Sequence, residues 1–117
     1  MPAELHQAGT HLDYTPSSAK SAGAVVNIGD SSNNFAGVVS NDIAANQKGS
    51  VCIGGVYKLP KKASTAMSVG ATVGYDESAD EVVPSADAAS DYDIGSVAYA
   101  AASSDADVYV LLNGLNI

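Results

Sequence analysis

An acidic stretch is the densest set of side chains in this sequence that could do chemistry. Residues 74–83 read GYDESADEVV, and Asp87, Asp91 and Asp93 follow within ten residues. The seven carboxylates from residue 76 to residue 93 could bind a metal ion, supply an acid/base pair, or coat the solvated side of a hairpin. The answer separates an enzyme or a calcium-dependent module from a structural protein.

The spacing of these acids fits neither a calcium loop nor a catalytic pair. An EF-hand loop needs alternating oxygen ligands around a glycine and a bidentate Glu at its twelfth position. The segment from Asp91 to Gly95 begins in this way, but no Glu follows it. A general acid and base need two carboxylates held across a cleft, which a polar loop does not provide. We therefore interpret Ser78 and Ala79 as the centre of a solvated loop that joins two strands.

The remaining reactive side chains also lack partners in the sequence. His6 and His11 lie in a weakly structured N-terminal region without evident zinc ligands, so a surface or partner-contacting role is favoured. Cys52 has no neighbouring His or helix N-terminus to activate its thiol, so we expect a small buried core residue. No P-loop and no GxGxxG motif occurs. The sequence thus predicts no catalytic residue, no metal ligand and no cofactor.

The charge balance excludes several classes of partner. Thirteen acidic residues face five basic ones, all of them Lys, and the formal net charge is −8. Binding of phosphates depends on clustered cations, so we expect no nucleic-acid partner and no anionic membrane partner. The one local cluster of cations comprises Lys58, Lys61 and Lys62. It is either a solvated edge or a docking point for an acidic partner, and we favour the solvated edge.

The sequence also bears on the compartment in which the protein is made. A single Cys allows no internal disulfide, so the fold does not need an oxidising environment. The N-terminus lacks a basic region followed by an apolar run, and no segment approaches the roughly 20 apolar residues that span a bilayer. We therefore expect a soluble protein that is made in the cytoplasm.

Short apolar bursts at intervals of about ten residues predict an all-β domain. β-branched residues and Tyr dominate the bursts, and Gly, Asn, Asp or Ser clusters separate them, which is typical of a sandwich or barrel. The bursts lie at residues 25–28, 35–39, 51–53, 56–59, 73–75, 81–83, 94–99 and 108–112. They define a β domain from residue 25 to residue 117.

Three further features of the sequence bear on this organisation: the N-terminal segment, one short helix candidate and a pair of glycines. Residues 1–24 are polar and rich in small residues, which predicts an extended N-terminal arm. At most one short helix is expected, and its best candidate is the turn at residues 61–67, which follows Pro60. Between the third and fourth bursts, Gly54 and Gly55 indicate either a hairpin turn or a corner in one continuing strand.

Eight short motifs occur in an order that is informative. They are DYTP at 13–16, AGAVV at 22–26, FAGVV at 35–39, GSV at 49–51 with GVYKLPK at 55–61, GATVGYD at 70–76, IGSVA at 94–98 and VYVLLN at 108–113. In this order they resemble the small capsid cement, or decoration, proteins of tailed bacteriophages, some of which carry a misleading recombinase label. The chain departs from that pattern at Gly74, which precedes Tyr75, and at Leu111, where a basic residue is common.

The resemblance implies a compact β-barrel or β-tulip domain with an N-terminal arm. It also implies a homotrimer on the outside of the phage head, where it bridges neighbouring major capsid subunits and stabilises the expanded shell without catalysis. The expected partners are therefore the major capsid protein and further copies of this chain. We expect contacts to capsid or to a neighbouring subunit from the following residues: Leu5, His6, His11, Leu12, Tyr14, Lys58, Lys61 and Lys62.

Two other classes of function compete with this interpretation. The first is a bacterial surface or adhesion β-module, made calcium-dependent by the acids between residues 76 and 93. The absence of a secretion signal counts against it. The second is an enzyme, either a carboxylate hydrolase or a recombinase. The sequence lacks the P-loop and the Arg residues that such chemistry would use.

Overall fold

The computed structural model describes residues 11–29 and 34–114. Over these residues the chain forms nine β-strands and no helix, which confirms the all-β fold class. The strands are β1 (His11–Tyr14), β2 (Val25–Gly29), β3 (Asn34–Val39), β4 (Gly49–Cys52), β5 (Val56–Pro60), β6 (Thr72–Asp76), β7 (Glu81–Pro84), β8 (Tyr92–Tyr99) and β9 (Asp107–Leu112).

The strands form two antiparallel sheets, each built from one continuous part of the chain. The first sheet has the order β1-β4-β3-β2, and the second has the order β5-β9-β8-β6-β7. The chain just after β5 returns to β7 through a parallel bridge between Lys61 and Val82. The Lys62 N–H also donates to the Val82 carbonyl oxygen at 2.9 Å. The five-stranded sheet therefore curls towards a closed barrel.

The inner face of the five-stranded sheet encloses the main core. Its buried side chains are mostly β-branched or aliphatic, and burying each one contributes roughly 1.5–3 kcal/mol. They include Leu59, Val73, Val82, Ile94, Val97, Val108, Val110 and Leu112. A smaller second core, consisting of Val26, Val39, Ile43 and Val51, belongs to the four-stranded sheet.

Asn113 joins the two sheets through side-chain hydrogen bonds. Its Oδ1 accepts from the Ala36 N–H at 2.9 Å, and its Nδ2 donates to the carbonyl oxygens of Ala36 and Ile53 at 2.8 and 2.7 Å. The residue has a φ of 54°, a left-handed conformation that Asn tolerates better than most residues. One side chain thus satisfies three backbone groups at the junction between the sheets.

The predicted bursts all fall on strands, but the sequence missed one strand. Each burst overlaps one of β2 to β9. β1 lies within the segment that was assigned to the arm, and it pairs with β4 through Leu12 opposite Val51 and Tyr14 opposite Gly49. Polar and apolar residues alternate in its sequence, HLDY, and they alternate between exposed and half-buried in the structure. The proposed division at residue 24 itself stays a prediction.

The structure corrects the helix prediction and resolves the glycine pair. Residues 61–67 contain no helix, because the backbone there bridges to β7 at Lys61 and to Ala101 at Met67. Tertiary pairing has overridden local propensity. The glycine pair forms a corner rather than a hairpin, since β4 and β5 belong to different sheets. Gly55 has a φ of 99°, which favours glycine at this corner.

Candidate functional site

The acidic end of the five-stranded sheet is a solvated hairpin, as the sequence predicted. Asp76 pairs with Glu81 at the end of the β6–β7 ladder, and residues 77–80 between them are exposed. Asp76 Oδ1 accepts from the Ser78 hydroxyl at 2.7 Å and from the Ser78 N–H at 3.1 Å. These hydrogen bonds, with one from the Ala79 N–H, lower the pKa of Asp76. The carboxylate thus stabilises the turn in which it lies.

The neighbouring acidic side chains also accept hydrogen bonds from groups close to them in the same chain. Asp91 Oδ2 accepts from the Glu77 N–H at 2.8 Å, and Asp93 Oδ1 accepts from the Ser85 hydroxyl at 2.7 Å. Asp87 is bound by a Lys Nζ and by the Ala89 N–H at 2.6 and 2.9 Å. Among the residues that the structure describes, no group of three His, Cys, Asp or Glu side chains could hold a metal ion. The acids order loops instead of converging on one point.

The predicted contact residues of the N-terminal segment fall into two groups. Leu5 and His6 lie outside the described residues. His11 is exposed on β1, whereas Leu12 and Tyr14 are half-buried and pack against the second core. Leu12 and Tyr14 therefore already have apolar partners within the chain. Only the part of each side chain that stays exposed can contact another protein.

The three predicted lysines do not form one exposed cluster. Lys58 is exposed, and its Nζ lies 3.8 Å from Asp107 Oδ2. Lys62 donates to Asp87 Oδ2 at 2.6 Å, which raises the pKa of Lys62 and lowers that of Asp87. Lys61 is only 4% exposed, and its Nζ donates to two carbonyl oxygens, those of Lys62 and Thr65, at 3.0 and 2.6 Å. The interpretation of Lys61 as part of a solvated edge is wrong.

Cys52 is half-buried rather than fully buried as expected. Its thiol donates to the Gly54 carbonyl oxygen at 3.2 Å, so it faces the corner between the sheets. The side chain of Tyr57 lies close by, and burial raises the pKa of Tyr57 to about 12 with a smaller contribution from Cys52. These contacts place Cys52 in the packing of the corner.

The sequence did not reveal an apolar surface on the outer side of the five-stranded sheet. Residues directly opposite each other in a ladder share a face, and Tyr99 lies opposite Tyr109 while Val56 lies opposite Leu111. Tyr99, Tyr109 and Val56 are 64%, 43% and 44% exposed. The two tyrosine rings meet edge to face, with centroids 5.7 Å apart. We call the surface formed by Val56, Tyr99, Tyr109 and Leu111 the tyrosine face.

Irregularities in β8 place Tyr99 on this face. The register between β8 and β9 shifts after Val97, so that Ala98 is an extra residue and Tyr99 turns outward. Gly95, two residues before Val97, has a φ of 151°, and a Cβ there would overlap the Leu111 carbonyl oxygen. Glycine therefore lets β8 approach β9 closely enough for the two strands to present one surface.

Two further exposed apolar side chains, Phe35 and Val69, lie near β8. Phe35, which is also exposed, lines a depression of about 350 Å³ together with Thr72 and Ser96, and these two residues pair with each other beside β9. Val69 precedes Gly70, whose N–H donates to the Val97 carbonyl oxygen at 2.8 Å. All large apolar side chains that are substantially exposed in residues 11–29 and 34–114 thus lie on or beside β8 and β9.

Comparison with known proteins identified one match. A family model described as "Phage cement protein" matches residues 6–112, which include all nine strands. No curated protein and no solved structure matched the chain. No helix in the described part of the chain is long and apolar enough to span a membrane.

Proposed function

The chain belongs to the phage cement protein family, and from this premise we propose that it binds the outside of the expanded phage head and bridges neighbouring major capsid subunits, as a trimer. Membership makes it a structural protein associated with the capsid. The family match over nearly the whole chain is the observation that carries the proposal. The order of motifs in the sequence had indicated the same family.

The proposed mechanism is stabilisation by differential binding. A protein that binds the expanded shell more tightly than the immature shell shifts the equilibrium towards the expanded form. Each subunit contributes at most the difference between its binding free energies for the two shells. A trimer attached at several points adds avidity, because the second and third contacts form at a high effective concentration.

The placement of charge on the described surface supports a binding role without chemistry. Four of the seven acids near the β6–β7 hairpin, Asp76, Asp87, Asp91 and Asp93, bind backbone groups, hydroxyls and a lysine of their own chain. Within residues 11–29 and 34–114, no three His, Cys, Asp or Glu side chains come together in a way that could hold a metal ion. The same acids disfavour contact with packaged nucleic acid, whose phosphates repel carboxylates.

The described residues proposed to meet the capsid or a neighbouring copy lie in two parts of the molecule. β1 is an edge strand of the four-stranded sheet, and residues 1–10, which include Leu5 and His6, precede it directly. His11 is exposed at this edge. Lys58 and Lys62 lie elsewhere, on and just after β5. We propose that the N-terminal segment supplies the apolar part of the capsid contact and that the two lysines supply charged contacts to the capsid or to a neighbouring copy of this chain.

The direct test is to mix the purified protein with expanded heads that lack it. The proposal expects added density on the outer surface at the threefold positions, and it expects the filled heads to resist heat better than the empty ones. Heads that bind no protein at any concentration would refute the proposal. Immature heads serve as the control, since weaker binding to them is what the mechanism requires.

A truncation tests the role of the N-terminal segment. Deleting residues 2–10 leaves β1 and every other described strand intact, so the melting temperature should stay within a few degrees of the wild-type value. Binding to heads should be lost, because Leu5 and His6 are removed. Wild-type affinity of this truncated protein would show that the segment does not contact the capsid.

A further inference from the structure

We propose that the tyrosine face is the surface through which copies of this chain contact one another. The number of copies, three, rests on the proposed function, whereas the assignment of this face to a second copy rests on the surface itself. Val56, Tyr99, Tyr109 and Leu111 lie on the paired strands β5, β9 and β8. These ladders fix the backbone beneath the side chains, so little backbone ordering cost remains to be met on binding.

The charge distribution identifies a second copy as the occupant. Two copies with a net charge of −8 each repel one another, and contact through acidic surfaces would add like-charge repulsion. The four residues of the tyrosine face carry no charge. Tyr99 also lies away from the acidic hairpin, because it follows Tyr92 by seven residues along β8, roughly 23 Å at strand spacing. The face thus lets two copies meet while their acidic ends stay apart.

The rim of the face is complementary to itself. Lys58 lies opposite Tyr109 in the ladder, and Pro60, two residues further along β5, lies opposite Asp107. Lys58 Nζ and Asp107 Oδ2 are 3.8 Å apart, a loose and largely exposed pair that contributes little within one chain. In a symmetric contact the Lys of one copy can pair with the Asp of the next, and every copy can do so equally.

The size of the face sets the expected strength of association. The exposed parts of Tyr99, Tyr109 and Val56 amount to an area on the order of 300 Å² per copy. A stable interface buries about 800 Å² per partner. The face therefore forms the centre of an interface that is weak between free subunits. On a shell, simultaneous attachment to capsid raises the effective concentration of neighbouring copies and strengthens the same contact.

A matched pair of charge insertions tests the assignment. Tyr99→Glu places a carboxylate in the centre of the face, whereas Ala79→Glu adds the same charge at the exposed tip of the acidic hairpin. In sedimentation over a concentration series, wild-type protein should show reversible association. Tyr99→Glu should weaken it at least about tenfold, since a buried charge would lack a partner. Ala79→Glu should associate like the wild type. Circular dichroism confirms that each variant is folded.

A mixing experiment tests the pairing between copies. Lys58→Asp gives a rim with two acids, and Asp107→Lys gives a rim with two cations. Each variant alone should associate more weakly than the wild type, and an equimolar mixture of the two should associate more strongly than either. If Lys58 and Asp107 pair only within one chain, the mixture will associate no more strongly than either variant alone. That result would overturn the role of the rim.

The remaining outcomes separate this inference from the proposed function. Association of Tyr99→Glu at wild-type strength overturns the inference, as does a wild-type protein that stays monomeric throughout the series. Normal self-association of Tyr99→Glu combined with loss of head binding assigns the face to the capsid, and also overturns it. Failure of the wild type to bind heads refutes the proposed function alone, because the sedimentation results still decide which surface joins the copies.

Discussion

Two ends of strand β8 present opposite kinds of surface. At its start, Tyr92 is buried beside an acidic hairpin whose carboxylates bind groups of their own loops. At its end, Tyr99 is exposed on an apolar face that no described part of the chain covers. The carboxylates that suggested a catalytic or metal site therefore bind groups close to them in the same chain. Tyr99 and the apolar residues beside it belong to bursts that suggested a core, but they form a surface that a partner can contact. Composition alone does not distinguish these two uses of tyrosine.

The largest effect is expected at the glycine that lies between the two ends. Gly95→Ala introduces a Cβ that overlaps the Leu111 carbonyl oxygen, so β8 must move away from β9. We expect a loss of about 3 kcal/mol or more in the free energy of unfolding, measured by urea denaturation. Gly70→Ala is the matched control, because its φ of 84° is also unfavourable but its Cβ meets open space. It should cost only about 1 kcal/mol. Equal losses would show that the close approach is unimportant.

A second stability prediction concerns the junction between the sheets, next to the apolar end of β9. Asn113→Ala leaves three backbone groups of Ala36 and Ile53 without their partner. We expect a loss of about 2–3 kcal/mol. Asn113→Gly removes the same hydrogen bonds but tolerates the positive φ, so it should lose about 1 kcal/mol less than the Ala variant. If neither variant changes the urea midpoint, the junction depends on apolar packing alone.

Alkaline titration tests how Tyr75, at the acidic end of the sheet, contributes to the stability of the protein. Burial raises the pKa of Tyr75 from 10.0 to about 12, and the nearby Asp80 and Glu77 add to the effect. Because the pKa in the folded protein exceeds that in the unfolded chain, this contribution to stability is complete below pH 10 and is lost as the pH rises towards 12. The melting temperature of the wild type should fall across this window. Tyr75→Phe should show a shallower fall, and an unchanged slope would contradict the assignment.

The smallest effect is expected from the ion pair between Lys62, just after β5, and Asp87 in the loop after β7. The hydrogen bond from Lys62 lowers the pKa of Asp87 below 3.8. A lowered pKa means that this contribution is present above the unfolded pKa and is lost as the pH falls through the folded value. Asp87→Asn should therefore lower the melting temperature slightly at neutral pH and hardly at all well below pH 3.8. A difference that persists undiminished in acid would indicate a packing effect of the substitution.

The sequence predicted the strands well because each is a compact apolar burst between turn-forming residues. It also predicted the β6–β7 hairpin, since Ser78 and Ala79 lie between two such bursts. β1 was missed because four residues, with only Leu12 and Tyr14 as large apolar groups, give a weak signal. The turn after β5 was wrongly predicted as helical, since its backbone partners at Val82 and Ala101 lie far along the chain.

The candidate surface could not be predicted, for a reason visible in β8. Strict alternation from Val97, which is buried, would place Tyr99 on the buried side as well. The extra residue Ala98 reverses the phase and turns Tyr99 outward, and a bulge leaves no clear mark in a single sequence. The burial of Lys61 was equally hidden, because its partners are backbone carbonyl oxygens.

The corner at Gly54 and Gly55 has a mechanical consequence. Every described strand ladder pairs strands from the same side of this corner, so each half of the chain holds itself together. A force that pulls the first half away from the second would load the short connection, the hydrogen bonds of Asn113 and the packing of Ala36 and Val38 in the main core before it strains any ladder. The four-stranded sheet would then separate as a unit, and its own strands would stay paired.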